Sequence, residues 1–212
     1  MKILLGATGA INTVNLPHYV RELTHRGHEV RVVLTPAAEC FLPASVLRAT
    51  TGVEVFTDRD FLVAMHPQHL ALAKWCETLA VAPLTANSLA KLAVGLADNL
   101  LLATALARRP AVVAPCMNIA SYRHPAVQGH LGALAGWGTL VLGPCPGRAG
   151  QGEDVLRMAG PRDLRRAVEG GLSPLRMVGG LATLARHQPA EPDQRPLASG
   201  PVGLERPRLL ED

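Results

Sequence analysis

Apolar residues along this chain fall into short unbroken runs, separated by longer stretches with helical spacing. The runs are KILLG (2–6), EVRVVLT (29–35), EVF (54–56), TLAVAP (78–83), AVVAP (111–115) and TLVLG (139–143). Runs of this length bounded by turn or polar residues predict buried strands. Residues 12–26 place Val14, Tyr19, Val20 and Leu23 on one helical face and stop at Gly27. Pro17 belongs in the first turn of that helix, because an interior proline would break it. Thr35-Pro36 reads as an N-cap and first-position pair opening a helix that ends near Gly52. LALAKW (70–75) is a short helical turn, and residues 86–109 form the longest helical pattern, with Leu89, Leu92, Leu96 and Leu100 near helical spacing. Asp98-Asn99 interrupts that apolar helix, and a buried pair of this kind needs partners. A further helix lies between the last two strands. Continuous apolar strands alternating with helices predict an α/β three-layer sandwich whose parallel sheet is covered on both faces. In such sheets ligands bind beyond the carboxyl ends of the strands.

The 212 residues suffice for one ordinary domain, and 48% hydrophobic against 18% charged residues predict a packed core. Aromatic residues make up 3%, which counts against stacking surfaces for single-stranded nucleic acid, and the net charge of +4 is spread without a dense basic stripe. No nucleic-acid partner is expected; an anionic ligand fits the charge equally well. The chain shows no signal peptide and no apolar run of membrane-spanning length, so a cytoplasmic location without membrane contact is expected. Cys40, Cys76, Cys116 and Cys145 make no CxxC pair, which argues against a disulfide scaffold and against a metal site. Residues 1–172 read as the folded domain. Residues 173–212, rich in Pro, Arg and acid, read as a flexible tail, with an arm docked on a neighbouring subunit as the alternative.

Four strand ends carry residues that a plain core would not need. GATGAIN (6–12) offers small residues and a helix start suited to a phosphate, although an ordinary tight turn explains it as well. LTPAAECF (34–41) holds the Thr35 hydroxyl, for which capping is the commoner role. APLTANS (82–88) crowds Pro83, Thr85, Asn87 and Ser88 at a third end, and PCMN (115–118) closes the fourth. His66 and His69 precede the strand at 78–83, and His69, just before the short helix, is the better placed to act as a base.

Together GATGAIN, HLALAKW, PLTANS followed by ADNLL, and PCMN resemble the flavin-containing cysteine decarboxylases over residues 1–145. The resemblance implies a flavodoxin-like (Rossmann-like) fold, FMN as cofactor with FAD as the alternative, and self-association as a trimer or a dodecamer with the flavin at a subunit interface. It implies that His69 is the catalytic base and that Asn118 holds the substrate carboxylate. Gly9, Ala10, Thr35 and Phe41 match positions around the flavin phosphate and ring. Pro83, Thr85, Ala86, Asn87 and Ser88 match a loop touching flavin and substrate, and Asp98, Asn99 and Met117 join the cofactor set. Ile119, Tyr122 and Cys145 join the substrate set.

Within the family, GATGAINTVNLPHYVREL (6–23) is similar to the epidermin-type peptide decarboxylases. This favours oxidative decarboxylation of the C-terminal cysteine of a precursor peptide to an aminoenethiol, in lantibiotic-type biosynthesis. The alternative is decarboxylation of phosphopantothenoylcysteine in coenzyme A synthesis. Related flavin prenyltransferases would not need PCMN with a matched histidine, and a non-catalytic homologue would be expected to lose His69 or Asn118. Ser121-Tyr122 replaces the usual Met-Trp of the motif, which alters the substrate pocket more than the chemistry. PCPGRAGQGEDVLRM (144–158) partly resembles the coenzyme A branch's substrate lid, but Pro144 and Pro146 around Cys145 imply a misplaced thiol and an unsaturated product.

Overall fold

The structure is a computed structural model that describes residues 1–63, 67–143, 145–146 and 156–170. Strands β1 (Lys2–Ala7), β2 (Glu29–Leu34), β3 (Glu54–Phe56), β4 (Thr78–Leu84), β5 (Val112–Pro115) and β6 (Leu140–Val141) form one parallel sheet in the order β3-β2-β1-β4-β5-β6. The flanking helices are α1 (Leu16–Thr24), α2 (Pro36–Glu39), α3 (Ala44–Thr51), α4 (Asp58–Val63), α5 (Gln68–Trp75), α6 (Ala86–Val94), α7 (Leu100–Ala107), α8 (Ile119–Arg123), α9 (Pro125–Gly136) and α10 (Pro161–Val168). Two short strands, β7 (Cys145–Pro146) and β8 (Leu156–Arg157), pair antiparallel apart from the sheet. This is the expected α/β, flavodoxin-like (Rossmann-like) three-layer sandwich.

The period-two alternation of strand side chains builds two cores from the same apolar runs. Ile3, Leu5, Val32, Leu34, Ala80 and Val112 face one side, where α1, α3 and α10 cover them. Leu4, Val33, Leu79, Val81 and Val113 face the other, under α5, α7 and α9. Each fully buried leucine among them contributes about 1.5–3 kcal/mol relative to an exposed one. Helix α7 is buried along Leu100–Ala105, so it has no polar stripe and reads as a continuous apolar run.

Several predicted helices are divided. The pattern over 86–109 is two helices, because Gly95 takes φ +75° and ends α6. Asp98 and Asn99 therefore lie in a connection, not inside a helix. Asn99 Oδ1 caps α7 by accepting from Leu102 N at 2.9 Å, Asp98 pairs with Lys91, and Leu96 is half exposed. The helix read from Thr35 to Gly52 is broken at Pro43 into α2 and α3. Val14 is exposed, since Ile11–Asn15 forms a 3₁₀ turn and α1 starts only at Leu16, with Pro17 in its first turn as expected. The last strand shrinks to Leu140–Val141, and two helices, α8 and α9, fill the preceding interval. Helix α10 was not expected. The tail read over 173–212 lies outside the described residues.

Helix α10 is fastened to α1 by polar contacts around its apolar face. Tyr19 Oη donates to Ala159 O at 2.7 Å, Arg165 Nε donates to Glu22 at 2.9 Å, and His28 Nε2 donates to Glu169 Oε1 at 3.0 Å. The His28 hydrogen bond, helped by the Arg165 guanidinium, holds the Glu169 carboxyl below the usual glutamate range. A lowered folded pKa stabilises the protein above the ordinary glutamate value and loses that contribution as pH falls through the lowered one. Glu169→Gln should therefore melt below the wild type at pH 7, and the gap should close as the pH drops under about 4. Thermal melts across that range check it; added salt should narrow the gap at neutral pH.

Candidate active site

The strand order reverses between β1 and β4, so the loops leaving these two strands part to opposite faces and open a crevice. Gly9, after β1, and Thr85, after β4, stand on that crevice and line both cavities that meet there. The larger, about 430 Å³, extends toward β2 and β3 and is polar, with Thr35, Asn87, Ser88, Lys91, Asp98 and Asn99 on its walls. The smaller, about 280 Å³, extends toward β5 and is lined by Ala10, Ile11, Ala86, Cys116, Met117 and Asn118. Sites for small molecules span roughly 300–1,000 Å³, a range the joined cavities reach.

Three of the residues singled out from the sequence start helices at strand ends. Thr35 Oγ1 accepts from Ala38 N at 3.3 Å, Thr85 Oγ1 from Ser88 N at 3.4 Å, and Asn118 Oδ1 from Ser121 N at 2.7 Å. Capping and ligand binding are compatible, because a helix start presents further N–H groups without partners in the helix. For Asn118 the cap also fixes the polarity of the amide. Its oxygen is committed to α8, so the exposed side chain offers Nδ2, a donor suited to an anion.

Close packing sets the crevice floor. A Cβ on Gly9 would stand 2.5 Å from Ala37 Cβ and 3.0 Å from Ala37 O, so only glycine lets the β1 loop approach α2 this closely. Thr8, fully buried, ties the β1 loop to β4. Its Oγ1 donates to Pro83 O at 3.0 Å and accepts from Thr85 N at 2.9 Å, beside the cis peptide Ala82–Pro83. Burial pushes the Cys116 thiol up from its ordinary range, which keeps it protonated at neutral pH.

The other candidates lie elsewhere. Pro83 enters through its carbonyl alone. Phe41 is 40% exposed beyond α2 and lines neither cavity. Ile119 is partly buried against the core, and Tyr122, at 2% exposure, is packed inside it. His69 is half-buried in the first turn of α5 and also lines neither cavity. Because α5 leads into the start of β4, that turn points toward the carboxyl edge of the sheet. Cys145 pairs through its backbone with Arg157, while its side chain and all of His66 lie outside the described residues.

Thr8 and Asp58 are among the contributors missed from the sequence. Asp58 follows β3 and lines the larger cavity, and its Oδ1 accepts from Leu100 N at 3.0 Å, at the start of α7. Burial raises its carboxyl above the usual range and the Asp98 charge adds to this, while the Leu100 bond opposes it. The available signal was FTDRD, in which Thr57 N donates to Asp60 Oδ2 at 2.6 Å as a cap and leaves Asp58 free to face another element.

The family model described as Flavoprotein matches residues 1–164. The bifunctional coenzyme A biosynthesis protein CoaBC of Escherichia coli is 38% identical over 156 residues, 72% of this chain and 38% of that protein. The chain thus spans well under half the length of the curated relatives it matches. A PPC decarboxylase variant complexed with pantothenoylaminoethenethiol superposes with a TM-score of 0.73 at 30% identity, over 79% of this chain and 96% of that one. The FMN-dependent cysteine decarboxylase SpaF superposes with a TM-score of 0.69, also at 30% identity, over 82% and 98%.

Proposed function

Because the chain belongs to the Flavoprotein family, we propose that it is an FMN-dependent decarboxylase of a cysteine derivative with a free carboxylate, with phosphopantothenoylcysteine as the favoured substrate. The observation that carries the reaction is the pair of cavities joined at Gly9 and Thr85: a polar groove beside a smaller chamber walled by Met117 and Asn118. Their size and division suit a flavin, with Gly9, Thr35 and Ser88 on the polar side for its phosphate and Ala86 and Met117 beside its ring. The bound flavin supplies an acceptor for the two electrons removed from the cysteine side chain.

The chain's own residues do the rest. Asn118 Nδ2 donates to the substrate carboxylate, oriented by the cap that occupies its Oδ1. His69 takes the thiol proton. Carbon dioxide then leaves with electrons flowing toward sulfur. Cys145, whose thiol the sequence reading took for misplaced, becomes the candidate donor of the proton that, with the two electrons the reduced flavin would return, turns the enethiol into a saturated thiol.

The sequence alone put a peptide ending in Cys first. The 38% identity to CoaBC reverses that order. One observation keeps the peptide as a second reading: the described residues lining the smaller cavity include no cation for a substrate phosphate, and Ile11 stands 60% exposed at its edge. Mass spectrometry on the FMN-loaded protein separates the two. The expected result is loss of carbon dioxide alone from phosphopantothenoylcysteine, with a Cys-ended peptide left intact. Loss of carbon dioxide plus two hydrogens from the peptide, with phosphopantothenoylcysteine untouched, moves the assignment to the second reading. Consumption of neither overturns the decarboxylase itself.

A further inference from the structure

Two carboxylates stand on the wall of the larger cavity, and their surroundings differ. Asp98 meets Lys91 Nζ at 2.5 Å, so its charge is compensated. Among the described residues Asp58 has no ion-pair partner, and only its Oδ1 is engaged, by Leu100 N at 3.0 Å. The second oxygen of Asp58 belongs to a half-buried side chain on the cavity wall and has no hydrogen-bond partner among the described residues. A carboxylate oxygen in that position only accepts, so it suits neither a phosphate oxygen nor a carbonyl. It suits a hydroxyl. The neutral polar side chains of the same groove, the Thr35 and Ser88 hydroxyls among them, are contributed by other loops.

We propose that Asp58 accepts a hydrogen bond from the hydroxylated side chain of the flavin, so that it reads the ribityl chain while the β1 and β2 loops hold the phosphate. This rests on the flavin reading above. It gives Asp58 two separable duties, since one oxygen fixes the start of α7 and the other meets the cofactor. Asparagine preserves the first, because its amide oxygen can still accept from Leu100 N. It weakens the second, because the charged acceptor is lost and the amide left in its place can only donate a neutral bond to a hydroxyl oxygen.

The test is titration of the apoprotein, followed by flavin fluorescence. The probes are FMN and a flavin phosphate whose five-carbon chain carries no hydroxyls. Asp58→Asn should raise the Kd for FMN roughly 10- to 100-fold, the size of a hydrogen bond to a charged acceptor. Its Kd for the hydroxyl-free flavin should match the wild type. Its apoprotein should melt with the wild type, whereas Asp58→Ala should melt lower. Equal losses for both flavins, wild-type affinity for FMN, or tighter FMN binding, as expected if the carboxylate merely repels the phosphate, would each overturn the assignment. If the wild type binds neither flavin, the flavin reading fails first and takes this one with it.

Discussion

Asn118→Asp should leave a folded, flavin-binding protein that has lost roughly a hundredfold or more of kcat/KM. Aspartate caps a helix as well as asparagine does, so Ser121 N keeps its partner and α8 keeps its start. On the proposed reading, what changes is the group facing the substrate. A neutral donor becomes an anion set against a carboxylate. Two like charges about 4 Å apart at an effective dielectric of about 20 repel by about 4 kcal/mol. The exposed position of Asn118 lets solvent reduce this, which brings the expected loss down from roughly a thousandfold to roughly a hundredfold. Steady-state kinetics with a parallel thermal melt check it. Amidating the substrate carboxyl should relieve the repulsion but not restore turnover. Wild-type kcat/KM in Asn118→Asp would remove Asn118 from carboxylate recognition.

Gly9→Ala should cost the protein its flavin. The added methyl would meet Ala37 Cβ at 2.5 Å and the Ala37 carbonyl oxygen at 3.0 Å, so no side-chain rotation relieves it and one loop must move. Overpacking of this kind costs about 1–3 kcal/mol of stability. The movement has a second effect, because Gly9 lines both cavities and Ala37 lines the larger one. The purified variant should be colourless or bind FMN at least about tenfold more weakly, and it should melt below the wild-type apoprotein. Yellow protein with wild-type affinity would show that this turn does not touch the cofactor.

The architecture was legible wherever apolar runs were short and bounded. The completely buried β4 and the N-cap at Thr35-Pro36 emerge directly from residue order. The long helix over 86–109 misled because Leu89 and Leu92 set a phase that Leu96 continues. Burial stops there only because Gly95 turns the chain, and Leu96 is left half exposed. Helix α10 was hidden because PRDLRRAV buries just Leu164, Ala167 and Val168 and wraps them in charge. The site was legible where one loop supplies it, as in PLTANS and PCMN. It was illegible where strand order brings distant residues together. Thr8 meets Pro83 across 75 positions, and Asp58 meets Leu100 across 42. Neither distance shortens until the order of β3, β2, β1 and β4 is known.

The caps at Thr35, Thr85 and Asn118 bear on when the site becomes ordered. Side chains recruited from flexible loops would surrender their rotamer freedom when the ligand arrives, at about 0.5–1.5 kcal/mol each. These three surrender it as their helices start, during folding, and the hydrogen bonds to Ala38, Ser88 and Ser121 compensate the loss before any ligand is present. The entropy of assembling this part of the pocket is therefore charged to the stability of the fold and not to the affinity of the complex.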